Sequence, residues 1–337
     1  MPPDSWKLLE VYFTNVQSWL PICEKHDILK IAYDFPAQDI AGASEQPASG
    51  LYAELWSVLA VGSSYGAAMM HRDPLDPSSA KPLKLYEQAK SLVPSELTRF
   101  DIGHIKALLN LVVFDMLRMQ TGEAWLLVGC VSRVLESMDQ PTLMSNPRHK
   151  HVYFGCFLLD GMLALQLNRR PHFRRSDLTH LGTIDEDGLE EWQPWSGFPD
   201  PSYAGRRAPL LSLSIFNNLI DLVDILNNIE QTPTKYLCED AVGHLQRWRA
   251  LMPTKLAHIC SDNAFVILTP PAALLWATYH CASFACIPSD VSLHRLLDVL
   301  DHCFEHASSQ CLPPTIRCLI DVVDRQSARL ALHDVYR

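Results

Sequence analysis

The sequence predicts an all-α protein, a large irregular arrangement of helix pairs stacked around a central buried helix. Three observations carry this. Apolar residues recur at the helical interval almost throughout, as in Ile105, Leu109, Val112, Met116 and Met119, or in Val128, Val131, Leu135 and Met138. Alternating runs that would mark strands are absent. One stretch, residues 263–289, holds no Asp, Glu, Lys or Arg, as a helix enclosed by others would.

Prolines and polar clusters bound the periodic segments. They place helices at about 5–19, 24–34, 50–70, 79–93, 101–119, 122–138 and 146–167. A second group follows at about 210–230, 236–250, 271–286, 290–307 and 314–334. Residues 35–49, rich in Ala, Ser, Gly, Gln and Pro, read as a connection. The longer loop 168–209 carries Trp192, Trp195, Phe198 and Tyr203 among prolines and acids, and aromatics of this number are expected to pack across the helical body. The uncharged stretch is long enough to span a bilayer, but Pro270 and Pro271 fall in its middle and Thr278, His280 and Ser283 interrupt it. A helix starting near Pro271, buried in a core, is the better reading. With 48% hydrophobic residues in 337, a sizeable core is available, and one domain is expected over residues 1–337.

The net charge of −10 disfavours the phosphate backbone, and the one local basic group is Arg169, Arg170, Arg174 and Arg175. No direct nucleic-acid contact is expected from these residues, and no membrane. A basic region followed by an apolar run, the mark of a secretory signal, is not seen at the N-terminus. The ten cysteines include no Cys-x2-Cys pair, and Cys130, Cys156, Cys281 and Cys318 sit inside apolar helical patterns, so reduced, buried thiols are expected.

Catalytic patterns are thin. His302-Cys303-Phe304-Glu305-His306 has the spacing of an inverted zinc protease motif, yet a third acidic ligand would have to come from Asp321, Asp324 or Asp334 in the short tail. A solvated helix face is the simpler reading, and no metal or other cofactor is expected. There is no Gly-x-Ser-x-Gly elbow and no glycine-rich phosphate loop. His280 precedes Cys281 directly, and adjacent helical residues point in different directions, so Cys281 reads as a structural thiol. Two charges stand beside apolar stripes, Arg133 and Asp160. Burial there requires a partner, so Asp160 is expected to meet Arg169 or Arg170, and Arg133 an acid or helix-end carbonyls. The same residues, with Trp192 and Trp195, could instead line a site for a small acidic metabolite, because an arginine partly withdrawn from water clamps a carboxylate well.

The stretch from Arg148 to Leu178 joins a helix containing Val152, Cys156, Leu159, Asp160, Leu163 and Leu167 to Arg169-Arg170-Pro171, a basic stretch and Asp177. It resembles the middle homology region of fungal zinc-cluster transcription factors, in which such a helix ends in Gly-Arg-Pro. Arg169 stands where the family usually has Gly. Other pieces of the resemblance follow in order: Tyr12-Phe13, Leu20-Pro21-Ile22, the run from Leu55 to Gly62, Tyr86-Glu87-Gln88-Ala89-Lys90-Ser91-Leu92, and Trp125, Gly129 and Arg133 at four-residue intervals. Residues 6 to 178 carry it, and 210 to 337 match as a helical continuation. The loop with Trp192-Gln193-Pro194-Trp195 after Asp185 to Glu191 is similar to that of fungal activators of quinate utilisation.

The resemblance implies a nuclear, non-enzymatic regulatory region that senses an effector or partner and controls a metabolic or biosynthetic gene set. Its expected partners are a small acidic metabolite, other regulatory proteins, or a second copy of itself. The six-thiolate zinc cluster is not among these residues, so a DNA-binding part would lie outside them. Two alternatives stay open on the sequence: a corepressor or dimerisation partner sharing the scaffold, and a biosynthetic-cluster enzyme, a cyclase or metal hydrolase, with a pocket in the helical body.

Overall fold

The computed structural model describes all residues except 36–48, 70–80, 95–98, 139–145, 198–207, 232–237, 261–268, 307–311 and 336–337, with the backbone alone at 68–69, 238–239, 303–306 and 329–335. Among the described residues there is no strand. The helices are α1 (Ser5–Asn15), α2 (Lys25–Tyr33), α3 (Ser49–Met69), α4 (Lys81–Ser91), α5 (Ile102–Leu117), α6 (Thr121–Ser137) and α7 (His149–Leu167). After them come the short α8 (Leu189–Trp192), then α9 (Ser212–Gln231), α10 (Cys238–Leu251), α11 (Pro270–Cys286), α12 (Asp290–His306) and α13 (Thr315–Val335). Each helix that the periodicity predicts is present with shifted ends. The short helix α8 and the 3₁₀ turn Arg175–Leu181 fall where the sequence reads as loop. Two compact units form, Met1–Leu159 and Asp160–Arg337, with the border inside α7.

In the first unit α3 packs against α1, α2, α4 and α5, and α5 also packs against α6. Close approach of α1 and α3 depends on Gly62, where a Cβ would stand 2.2 Å from the Leu8 carbonyl oxygen. α5 is buried on every side from Gly103 to Met116. It starts at a reciprocal cap: the Asp101 carboxylate accepts from the His104 N–H at 3.0 Å, and His104 Nδ1 accepts from the Asp101 N–H at 3.1 Å. Enclosing this helix means enclosing its polar side chains, and each finds a partner on another element. Asn110 accepts from the Tyr12 hydroxyl at 2.8 Å and lies 3.1 Å from Ser57 Oγ. Lys106 Nζ stands 3.3 Å from Glu54 Oε1 on α3, with both side chains sealed from water. Burial pushes the Glu54 carboxyl up and the Cys23 thiol up to about 12.

In the second unit α11 is the enclosed helix, packed against α9, α10, α12 and α13, and it begins with Pro270 and Pro271 in its first turn. Among the described residues no helix is long and apolar enough to cross a membrane. Trp248 of α10 stacks on Tyr279 at 5.7 Å and donates from Nε1 to the Asn218 carbonyl at 3.0 Å, which fixes α10 against α9 and α11. The last carbonyls of α7 are met by the Arg325 guanidinium, which donates to Leu165 and, at 2.9 Å, to Gln166. Cys156, Cys281 and Cys318 are buried free thiols as expected, whereas Cys130 is exposed, because its position on α6 lies opposite the buried stripe of Ala124, Val128, Val131 and Leu135.

Candidate functional site

The segment after α7 is a strap that runs antiparallel to α9, and a series of acid and amide contacts ties it down. α7 ends in a two-bond turn, with the Asn168 N–H donating to Leu165 and the Arg169 N–H to Ala164 at 2.9 Å. The left-handed residue of that turn is Asn168, at φ 53, so Arg169 is not asked to adopt the conformation that favours glycine. Pro171 then turns the chain back so that the N–H groups of His172 and Phe173 donate to Asp160 Oδ2 at 2.5 and 3.2 Å.

The expected tie from Asp160 to Arg169 or Arg170 is therefore replaced. Asp160 is 1% exposed and its partners are backbone amides, while Arg169 and Arg170 are both exposed. The physical reason is economy of desolvation: two amides delivered by a tight turn satisfy the carboxylate without drawing a guanidinium out of water. Burial pushes the Asp160 carboxyl up to about 6, against the lowering influence of those two amides.

Next comes the 3₁₀ turn, whose Leu178 and Leu181 are buried. Of the local arginines, Arg175 is engaged internally: its N–H donates to Asp224 Oδ1 at 3.2 Å and its Nε to Asp221 Oδ1 at 2.8 Å. Arg169, Arg170 and Arg174 form the exposed remainder. Further along, Ile184 and the Asn217 side chain exchange two hydrogen bonds, both 3.0 Å.

The strap ends in a contact that the sequence did not announce. Glu191, fully buried on α8, accepts from the N–H groups of Leu213 and Ser214 at 3.0 Å each, from the Ser214 hydroxyl, and from Lys255 Nζ at 2.8 Å. An acid from elsewhere in the chain thus caps the N-terminus of α9, where the amide groups are unsatisfied and the helix dipole favours negative charge. Glu186 supports it, accepting from Ser214 Oγ and Lys255 Nζ at 2.8 Å and from Asn217 Nδ2 at 3.1 Å. Burial pushes the Glu186 carboxyl up, but these donors more than offset it and hold the group below the usual carboxylate range. The available signal was an acid-rich run before a helix whose first residues include Ser212 and Ser214. Read alone, that run looks solvated.

The two expected tryptophans separate. Trp195 docks and is buried, whereas Trp192 is 57% exposed with Lys255 Nζ 5.8 Å from its ring centroid. Phe198 and Tyr203 lie outside the described residues. Arg133 belongs to the first unit and is exposed rather than partly buried; its Nη1 donates to the Gly129 carbonyl at 2.9 Å on its own helix. The reason is angular, since Arg133 projects from α6 on the side away from Val128, Val131 and Leu135. The His302 ring meets Trp276 edge-on at 5.9 Å, and the His306 side chain lies outside the described residues. Among the described residues no group of three His, Cys, Asp or Glu side chains is arranged to hold a metal.

Residues 9–264 match the fungal specific transcription factor domain, a span that contains the whole strap. The chain is similar to the quinic acid utilization activator of Emericella nidulans, with 37% identity over 75% of this chain and 33% of that protein. It is also similar to transcription factor qa-1f of Neurospora crassa, with 28% identity over 95% of this chain and 42% of that protein. The chain thus spans less than half the length of these relatives. No solved structure matches it.

Proposed function

This chain belongs to the fungal specific transcription factor domain family, and from that membership we propose that it is the regulatory region of a transcription factor controlling a metabolic gene set. In this reading it acts in the nucleus, has no catalytic activity, and its two units serve one regulatory domain. Contact with DNA belongs to other parts of the protein, since these residues carry a net charge of −10. The effector is a small ring carboxylate of the quinate type, a class suggested by the printed name of the Emericella nidulans relative.

The observation that carries the effector reading is the strap itself. It is held to α9 by carboxylate contacts, and it leaves Arg169, Arg170 and Arg174 exposed on one part and Trp192 beside Lys255 on another. Arg169, Arg170, Trp192 and Trp195 are the residues assigned to the ligand, and Asp160 is assigned to holding the strap's start. Cationic and aromatic groups of this sort recognise ring carboxylates. A ligand that binds one arrangement of the strap better than another shifts the population and so transmits a signal.

The test is a fusion of this chain to an unrelated DNA-binding domain, read by a reporter with and without quinate, together with tryptophan fluorescence and melting of the purified chain. Reporter output should change with quinate, and ligand at a hundred times its dissociation constant should add about 2.7 kcal/mol of stability. Both responses should weaken in Arg169→Ala/Arg170→Ala. Absence of a reporter response together with no melting shift at millimolar ring carboxylates would overturn the effector reading.

A further inference from the structure

Arg174 and Arg175 directly precede Ser176 and have no part in the ligand contacts assigned above. No other serine or threonine in the sequence has two arginines among the three residues before it. Ser176 is exposed, on the 3₁₀ turn of the strap, and Arg174 beside it is exposed as well. An accessible hydroxyl next to paired guanidinium groups is what an enzyme with an acidic substrate groove can read, because arginine binds carboxylates through a planar, two-pronged contact.

A phosphate at this position acts on the contacts that hold the strap. Ser176 Oγ donates to Asp177 Oδ1 at 3.3 Å, and Asp177 Oδ2 accepts from the Arg174 N–H at 2.8 Å. The Arg175 side chain crosses to α9, where its Nε stands 2.8 Å from Asp221 Oδ1, with 26% and 50% of the two side chains exposed. An ion pair so open to water is weak. A phosphoserine carries a charge of about −2 and three acceptor oxygens, one residue away from that guanidinium, and binds arginine through two parallel hydrogen bonds. It therefore outcompetes Asp221. With Arg175 turned to the phosphate, Asp221 and Asp224 of α9 face two further negative groups, the phosphate and Asp177, and the bond from the Arg175 N–H to Asp224 is strained by that repulsion. We propose that Ser176 is a phosphorylation site of an arginine-directed protein kinase, and that its phosphate releases the middle of the strap from α9. The γ-phosphoryl group of Mg-ATP passes to Ser176 Oγ: the new P–O bond forms as the bond to the bridging oxygen breaks, ADP leaves, and the hydroxyl proton goes to the kinase's catalytic carboxylate. No metabolite takes part, so the proposal stands apart from the effector reading.

The experiment has two arms. The full chain expressed in Emericella nidulans, the host of one relative, and recovered for peptide mass spectrometry should carry phosphate on Ser176. Arg174→Gln, a change at an exposed side chain, should lower that occupancy several-fold. In the second arm phosphoserine is installed at position 176 during synthesis of the full chain, and backbone hydrogen exchange is followed. Amides of residues 174–181 should exchange about tenfold faster than in the parent chain, with the difference shrinking as salt is added. Ser176→Ala should exchange like the parent, which separates the effect of the phosphate from any structural role of the hydroxyl. Asp221→Asn, which removes the contact that the phosphate displaces, should reproduce part of the faster exchange without modification. Peptides spanning Ser176 that are recovered only unmodified, or a phosphoserine chain whose strap exchanges at the parent rate, would each overturn the proposal.

Discussion

Glu54 and Glu191 are both buried glutamates facing a lysine, and they differ in what surrounds the lysine. Lys106, the partner of Glu54, is enclosed between α3 and α5 with only 8% of its side chain exposed. Lys255, the partner of Glu191, keeps 34% of its side chain exposed at the rim of the strap. In the first unit the two charges depend on each other, since neither can reach water. In the second the carboxylate depends chiefly on the amide groups of α9, and the lysine is an accessory that water can replace. A buried acid is thus a rigid internal tie in one unit and a strap fastening in the other, according to how its partners are solvated.

Four substitutions test that difference, in decreasing order of effect. Lys106→Met should lower unfolding free energy by about 3–5 kcal/mol, because it strands the Glu54 charge, and Glu54→Leu/Lys106→Met together should recover most of the loss. Equilibrium denaturation measures both, and a single variant as stable as the parent would remove the contrast. Glu191→Ala should cost about 2–3 kcal/mol by leaving the first amides of α9 without an acceptor, and Glu191→Gln less, since an amide oxygen still accepts. If Glu191→Ala unfolds no more readily than the parent, the strap is not fastened there.

Asp160→Asn sharpens the comparison through pH. The folded-state value of Asp160 is raised from 3.8 to about 6, so the folded protein binds a proton that the unfolded chain releases over that interval. Its contribution to stability is complete below about pH 4 and is lost as pH rises through 6. The parent should therefore outperform Asp160→Asn by more at pH 4 than at pH 8, with the gap changing by about 2 kcal/mol across the window. A gap constant with pH would show that the carboxyl titrates alike in both states. The smallest effect belongs to Lys255→Met, at or below about 1 kcal/mol and shrinking further in salt, as suits an ion pair with one member in water. A loss as large as that of Lys106→Met would erase the distinction between the two units.

The enclosed helices show what could be read in advance. α11 was legible because its core-facing stretch holds no charge, and a chain cannot display such a segment to water. α5 is as fully enclosed, yet His104, Lys106, Asn110 and Asp115 lie within it and make it look half solvated. Their partners come from Ser49, Glu54, Ser57, Tyr12 and Tyr86, which lie on other helices and so leave no periodic mark within α5. At the candidate site the burial of Asp160 could be foreseen from its place beside an apolar stripe, but its partners could not. Backbone amides are the same in every residue, and only the turn at Asn168 and Pro171 decides which of them face the carboxylate. Arg133 is exposed for a simpler reason: it neighbours the stripe along the chain, but on the helix it lies across from it.

By itself the sequence determined the helices, their order, the enclosed α11 and the family, because periodicity, proline punctuation and residue order are local properties that survive without a fold. Tertiary structure alone decided which charges are sealed and which face water, and that Asp160, Arg175, Glu186 and Glu191 fasten the strap while Arg169 and Arg170 stay in water. Those outcomes depend on side chains far apart in the chain meeting at distances near 3 Å, and the energy of a charge or amide is set by what lies within that distance.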